Sequence, residues 1–336
     1  MDFRYKLSVI VPCYNVEQYL DLALDCLEKQ WDNDKDIQFI LVNDGSTDGT
    51  LQRLYLFEKK HKTNTIIVNK QNGGISSARN EGLQIVDGKY VTFFDPDDAL
   101  IYGGYQYLYE NYLSGNDVDT LAFKTNQMPA GDFDISYIND EAKSNKENDL
   151  EFEGSGKDFF LKFNTLVTWL FFYRTDVIRN NNLCFDEGLT YTEDTLFNLQ
   201  YFLVEGLSVR RVDYKPHFWL NRMGSLSSVQ DKRSKVTKML KCNMTCLQRM
   251  EDVQIRNLNN EDLAKRIEEL QVDKSRIGAM VLRSNLDLKQ IVDLRQKLKK
   301  LGLYPIKWKG FKSFIYNTMF RFPFLFFLFR PLASCI

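Results

Sequence analysis

Histidine is nearly absent: His61 and His217 are the only two in 336 residues, and they lie far apart. The six cysteines (Cys13, Cys26, Cys184, Cys242, Cys246, Cys335) include no CxxC pair. Structural zinc needs clustered Cys and His, so a zinc module is excluded. Scattered thiols also argue against a disulfide framework and for a reducing compartment. Neither GxGxxG nor GxxxxGK[ST] occurs, which speaks against a nicotinamide enzyme and a P-loop NTPase. Long apolar runs are missing as well. The C-terminal FPFLFFLF (322–329) falls well short of the roughly 20 residues that span a bilayer. At the N-terminus LSVIVPC (7–13) lacks the flanks of a signal peptide and reads as a buried strand.

What is present supports a sizeable core: 44% of residues are hydrophobic and 26% charged, enough for two lobes. Net charge is −1 but unevenly spread. Residues 289–330 hold ten Lys/Arg against the single acid Asp293, about +9, so the C-terminal region is expected to face something anionic.

From the N-terminus, short β-branched or aromatic runs alternate with longer amphipathic ones. The strand-like runs are LSVIVPC (7–13), IQFILVN (37–43), NTIIVN (64–69) and YVTFF (90–94). Between them lie the helix-like VEQYLDLALDCLEKQW (16–31), TLQRLYLFEKKH (50–61) and ISSARNEGLQIV (75–86). This trading of periods predicts βαβ units and an α/β fold with a mostly parallel sheet. Ligands of such sheets bind beyond the carboxyl ends of the strands, where PCYN, NDGSTDGT, NKQNGG and DPDD fall in turn. Further along, VDTLAFKTN (118–126) reads as a strand, and the polar stretch 139–158 as a mobile loop, a lid or an idle insertion. TWLFFYRTDVIRNN (168–181) returns to ordered structure. TEDTLFNLQYFLV (192–204) predicts a helix with Thr192 available as N-cap and acids in its first turn. From about residue 230 the pattern is helical almost throughout. The expected division is 1–228, with halves 1–126 and 127–228, followed by a helical region 229–336.

Asp95, Asp97 and Asp98 sit within four positions, and carboxylates this close repel unless a cation, water or donors offset them. A solvated turn is one reading. An EF-hand calcium loop is not supported, because residues 95–106 lack its ligand spacing. A hard divalent cation shared with phosphates is another, since magnesium takes only one or two protein carboxylates.

Taken together, SVIVPCYN, ILVNDGSTDGT, NGGISSARNEGL, GKYVTFFDPDD and TED resemble the family 2 glycosyltransferases, inverting enzymes of GT-A fold that use nucleotide-activated sugars. The likeness holds in order and spacing over residues 7–98 and is looser to about 225. It implies a GT-A domain, Rossmann-like with a mostly parallel sheet, carrying a helical C-terminal extension, of the bacterial polysaccharide type. The family's DxD pattern lands on Asp95 and Asp97, which implies Mn²⁺ or Mg²⁺ on Asp97, with Asp95 on ribose or metal-bound water. It gives Asp44 the N3–H of a uracil; from the residues alone an Asx turn that caps the next helix serves equally. Pro12 and Tyr14 are expected to flank the base, and Asn15, Asn72 and Gly74 to join them in the nucleotide-sugar site. Arg79 reads either as a diphosphate ligand or as a buried partner of the acidic corner.

Glu193 and Asp194 open a helix, where acids are favoured by the dipole alone. Beside DPDD, Asp194 is expected to be the general base and Glu193 to position the acceptor. HFWLNRMGSLS (217–227) offers Arg222, Ser225 and His217 on a loop that could close on the diphosphate. The QxxRW motif of processive synthases is missing, which implies one sugar added per encounter. The resulting expectation is a metal-dependent hexosyl- or N-acetylhexosaminyltransferase acting from a UDP-sugar on a glycan or lipid-linked oligosaccharide. The alternatives are a sugar nucleotidyltransferase, which would need a Gly-rich N-terminal loop, and a non-catalytic sugar-nucleotide-binding protein. The Phe-rich basic tail predicts peripheral attachment to an anionic membrane on its cytoplasmic face. Its other reading is a helix pair burying Phe in the protein or in a homo-oligomer interface. No nucleic-acid partner is expected.

Overall fold

LSVIVPC lies inside β1 (Tyr5–Cys13), buried at every position but Lys6, as a strand covered on both faces must be. A computed structural model describes residues 2–129, 138, 150–163, 167–221, 232–256, 280–300, 304–305 and 311–332. These fall into two units. The first comprises Met1–Glu187 with Glu193–Met223, the second Gly188–Thr192 with Gly224–Ile336.

The first unit proceeds as α1 (Leu20–Glu28), β2 (Ile37–Asp44), α2 (Thr50–Lys60), β3 (Thr65–Lys70), α3 (Ile75–Gln84) and β4 (Gly88–Phe93). After β5 (Ala99–Leu100) and α4 (Gly104–Leu108) come β6 (Thr120–Ala122), β7 (Thr125–Pro129), β8 (Leu150–Ser155) and α5 (Gly156–Lys162). Then follow β9 (Phe171–Arg174), α6 (Thr175–Asn180), α7 (Glu193–Phe202), β10 (Ser208–Val212) and β11 (His217–Asn221). Eight strands form one sheet in the order β3-β2-β1-β4-β9-β6-β10-β8, and β5-β11-β7 form a small second sheet. The run β3-β2-β1-β4 is parallel throughout. Chain order moves outward from β1 through β2 to β3, then crosses back to place β4 on β1's other side. That reversal opens a crevice at the carboxyl ends of β1 and β4, the place where open α/β sheets bind ligands.

Two expectations change. The stretch 118–126 is not one strand: Phe123 N–H donates to Leu170 O and Lys124 N–H to Tyr214 O, so the chain leaves β6 in the large sheet and enters β7 in the small one. The end of the expected loop 139–158 is regular, with β8 pairing antiparallel to β10 and α5 capped by Ser155, whose hydroxyl accepts from Asp158 N. Residues 139–149 lie outside the described residues.

In the second unit, α8 (Lys232–Arg256), α9 (Leu288–Lys300), α10 (Phe311–Arg321) and α11 (Phe324–Phe329) are present. The periodic run LKQIVDLRQKLKK is α9, and much of the other helical pattern, 257–279, lies outside the described residues. Leu240, Val281, Ile291, Leu294, Leu298, Tyr316, Met319, Phe320 and Phe326 form a core. Only part of the C-terminal aromatic run is buried in it. Among the described residues no helix is long and apolar enough to cross a membrane.

Candidate active site

β4 delivers the chain into DPDD at the crevice. The three carboxylates there part company. Asp98 is buried: its Oδ1 accepts from Leu220 N at 3.0 Å, and its Oδ2 lies 3.4 Å from His217 Nε2. It therefore seats the small sheet against the corner. Asp95 and Asp97 remain half-buried at the crevice. His217 is not on a loop, as the sequence suggested, but within β11. It is fully buried, stacked on Trp169 with ring centroids 4.2 Å apart, and its Nδ1 lies 3.2 Å from Thr125 Oγ1. Burial drives its pKa down to about 3, so the ring is neutral and its contact with Asp98 is no ion pair.

Arg79, in the second turn of α3, is 2% exposed. Its Nη1 donates to Asp194 Oδ1 at 2.6 Å and Glu193 Oε1 at 3.1 Å, and its Nη2 reaches Asp95 Oδ1 at 3.5 Å. The guanidinium lies 5.2 Å from the Phe185 ring centroid and 5.8 Å from that of Phe93. Asp194 Oδ2 also accepts from Thr168 N at 3.3 Å. One permanently charged fork thus joins acids from the ends of β4 and the start of α7. Arg79 is buried against the acidic corner, where both of its readings place it. Three carboxylates exceed one cation, and burial raises two of them. Glu193 is pushed up to about 7 by desolvation and the Asp194 charge, against the pull of Arg79. Desolvation pushes Asp95 up to about 6 against the pull of Arg79, with the Asp97 and Asp194 charges adding to the rise. Thr192 is not a conventional N-cap: its φ is +67°, and its hydroxyl donates to the Tyr191 carbonyl.

Asp44 ends β2 at 3% exposure. Its Oδ1 accepts from Lys70 Nζ and Gly73 N, both at 2.9 Å, and its Oδ2 from Gly74 N at 2.8 Å. The local turn is instead made by Asn43, whose Oδ1 accepts from Ser46 N at 3.3 Å, so Asp44 is no helix cap. It reaches across to the NGG loop. Gly74 (φ +87°) can present its N–H only because it lacks a Cβ. At Gly45 (φ +71°) a Cβ would stand 2.6 Å from Asn72 N. The glycine-pair N–H groups thus donate to the Asp44 carboxylate. Lys70 escaped the sequence reading. Its Nζ also donates to Gln71 O at 2.8 Å, and only its place at the end of β3, beside NGG, hinted at a role.

Pro12 is buried within β1, and Tyr14, just past its end, is 50% exposed. Asn15 (φ +51°) is occupied as a brace, its Oδ1 accepting from Thr47 N at 2.8 Å while its N–H donates to Ser46 Oγ at 3.0 Å. Asn72 is exposed on the NGG loop. Arg222 and Ser225 lie outside the described residues. Among the described residues no group of three or more His, Cys, Asp or Glu side chains is arranged to cage a metal. The donors at the crevice are Asp97 and Asp95, all oxygen, and they fit a cation that completes its shell with water and phosphate oxygens.

Residues 8–174 match the family model described as Glycosyl transferase family 2. Over 230 residues the chain is 29% identical to the uncharacterized glycosyltransferase EpsJ of Bacillus subtilis, covering 66% of this chain and 63% of that one. Over 125 residues it is 41% identical to the minor teichoic acid biosynthesis protein GgaB of B. subtilis, 36% of this chain and 13% of GgaB. The chain therefore spans less than two thirds of either relative. Among solved structures, S. aureus TarS 1–349 in complex with UDP-GlcNAc superposes with TM-score 0.66 at 24% identity, covering 89% of this chain and 81% of that one. The mannosyltransferase PcManGT of Pyrobaculum calidifontis, in complex with GDP-Man and Mn²⁺, does so with TM-score 0.53 at 13% identity, covering 99% and 85%. The fold is thus the expected α/β, GT-A-like one, followed by C-terminal helices.

Proposed function

The chain belongs to glycosyltransferase family 2, which its residues 8–174 match, and from that premise we propose that it is an inverting transferase moving a hexose or N-acetylhexosamine from a UDP-sugar to a hydroxyl of a lipid-linked glycan. The observation that carries this reading is the sharing of Arg79 by Asp95, Glu193 and Asp194, which sets a candidate base beside the candidate diphosphate corner. Asp194 takes the proton of the acceptor hydroxyl as that oxygen attacks C1 from the face opposite UDP. Arg79 and Thr168 N–H fix the carboxylate's orientation. Glu193, largely buried behind it, steadies the acceptor side. Mn²⁺ or Mg²⁺ held by Asp97 with Asp95 would supply charge neutralisation for the leaving diphosphate.

Uracil presents an N3–H donor between two carbonyl acceptors, and the Asp44 carboxylate with its neighbouring Lys70 ammonium offers the complementary acceptor and donor. Tyr14 offers a flat apolar face to the base. TarS is seen with UDP-GlcNAc, in keeping with a uridine donor, and GgaB acts in teichoic acid biosynthesis, in keeping with an acceptor from polysaccharide assembly.

Asp194→Asn should lower transfer by about 10² to 10⁴-fold, the usual share of a general base, while UDP binding by calorimetry stays within a factor of a few. Mass spectrometry of products from a panel of UDP-sugars with lipid-linked acceptors supplies the assay. Undiminished transfer by the variant would remove Asp194 from the chemistry.

A further inference from the structure

The second unit carries an exposed aromatic face with no role in the reading above. Helices α10 and α11 turn one side inward, where Tyr316, Met319, Phe320 and Phe326 join the core with Ile291, Leu294 and Leu298. The outward side is rich in apolar residues as well, although in α10 Asn317, Thr318 and Arg321 stand among them. Phe314 (67%), Phe322 (47%), Phe324 (54%), Phe327 (39%), Leu328 (64%) and Phe329 (43%) are all exposed. Single exposed apolar residues are ordinary, but six of them within residues 314–329, with Phe322 and Phe324 in ring contact, point to an interaction surface.

The face is tied to its unit by hydrogen bonds from two arginines. Arg295 Nη1 donates to Phe320 O at 3.1 Å, and Arg330 Nη2 donates to Leu286 O, tying both helices to the rest of the unit. Arg321 and Arg330 lie over the rings of Phe322 and Phe327, at 5.7 and 4.4 Å from their centroids. Cations therefore sit among the exposed aromatics. No acid occurs between 294 and 336, and residues 289–330 carry about +9.

We propose that this face is a membrane-docking surface, lying in the headgroup region of an anionic phospholipid bilayer with the Phe and Leu side chains in the acyl boundary and the Arg guanidinium groups at the phosphates. Charge decides between a bilayer and a second copy of the chain. A two-fold contact sets the same patch against itself, so Arg321 and Arg330 would meet their own kind with no side-chain carboxylate supplied by residues 294–336. An anionic leaflet attracts every one of these cations. Length decides between lying on the bilayer and crossing it. Helices of 11 and 6 residues extend about 17 and 9 Å, against an apolar thickness of about 30 Å.

The test is co-sedimentation of the full-length chain with phosphatidylcholine vesicles, with and without phosphatidylglycerol, at low and high salt. Wild type should bind the phosphatidylglycerol vesicles and lose much of that binding at high salt, as the Debye length shrinks from about 8 Å at physiological ionic strength to about 3 Å at 1 M. The variant Phe314→Ser/Phe324→Ser/Leu328→Ser changes only exposed positions. It should keep its circular dichroism and lose binding about tenfold or more at either salt. Arg321→Gln should weaken binding about fivefold at low salt and change nothing at high salt. The proposal is overturned if wild type stays in the supernatant with phosphatidylglycerol vesicles. A triple variant that sediments like wild type overturns it too. So does a triple variant that only dissolves an oligomer, which would make the face a contact between copies.

Discussion

Burial dominates the protonation of Glu193 and Asp95, whose pKa values it raises although both carboxylates contact the Arg79 guanidinium. With Glu193 raised to about 7, its protonated form is favoured by the fold. The resulting stability is complete below the ordinary glutamate range near 4.5 and is lost as pH rises through about 7. Glu193→Gln, permanently neutral, should abolish that loss. Thermal unfolding between pH 5 and 8 should show wild type declining more steeply than the variant, with a difference at pH 8 of about 1 kcal/mol or more, one pKa unit being about 1.4 kcal/mol. Parallel profiles would mean that Glu193 titrates as in the unfolded chain. At this scale the sequence disclosed residue types and little of their partners. The DPDD and TED clusters were visible as candidates, but the Arg79 hub joins positions more than a hundred residues apart. Lys70 was invisible for the same reason: its significance is its reach to Asp44, and a lysine ending an edge strand reads as a solvated one.

Among the elements, the buried parallel strands were the most legible, since strands covered on both faces must be continuous apolar runs. The division of 118–126 between two sheets was not, because both β6 and β7 have strand-like sequences and only the backbone bonds of Phe123 and Lys124 to different neighbours reveal the break. The same small sheet explains the crowding after β4. Asp98 belongs to β11 in its bonding, whereas Asp97 is half-buried near Asp95, whose pKa its charge helps to raise. Asn at either position is nearly isosteric, and the outcomes should diverge. Asp98→Asn retains an acceptor for Leu220 N–H and should cost about 1 kcal/mol or less, with turnover near wild type. Asp97→Asn should keep its stability and lose metal-dependent turnover, because a neutral amide is a poor ligand for a hard cation. Measured turnover against Mn²⁺ concentration, with unfolding temperatures alongside, separates the two. Equal inactivation of both variants would return Asp98 to the chemistry.

At the scale of the whole chain, every described residue assigned to the reaction lies in the first unit, and the exposed aromatic face lies in the second. Removing residues 311–336 would be a poor way to separate the two roles, because it takes Tyr316, Met319, Phe320 and Phe326 from the second unit's core and leaves Ile291 and Leu298 uncovered. Loss of membrane binding by such a truncation could then reflect unfolding alone. Amide hydrogen exchange on the intact chain avoids this, since ligands slow exchange where they suppress local opening. UDP with Mn²⁺ should protect amides near 12–15, 44–47, 72–79, 95–98 and 193–194, and leave α9, α10 and α11 unchanged. Phosphatidylglycerol vesicles should protect 314–329 and leave the strand ends of the first unit as they were. If UDP slowed exchange in α10 and α11 as strongly as at the ends of β1 and β4, the nucleotide site would not be confined to the first unit. The division of labour drawn from the two buried cores would then fail.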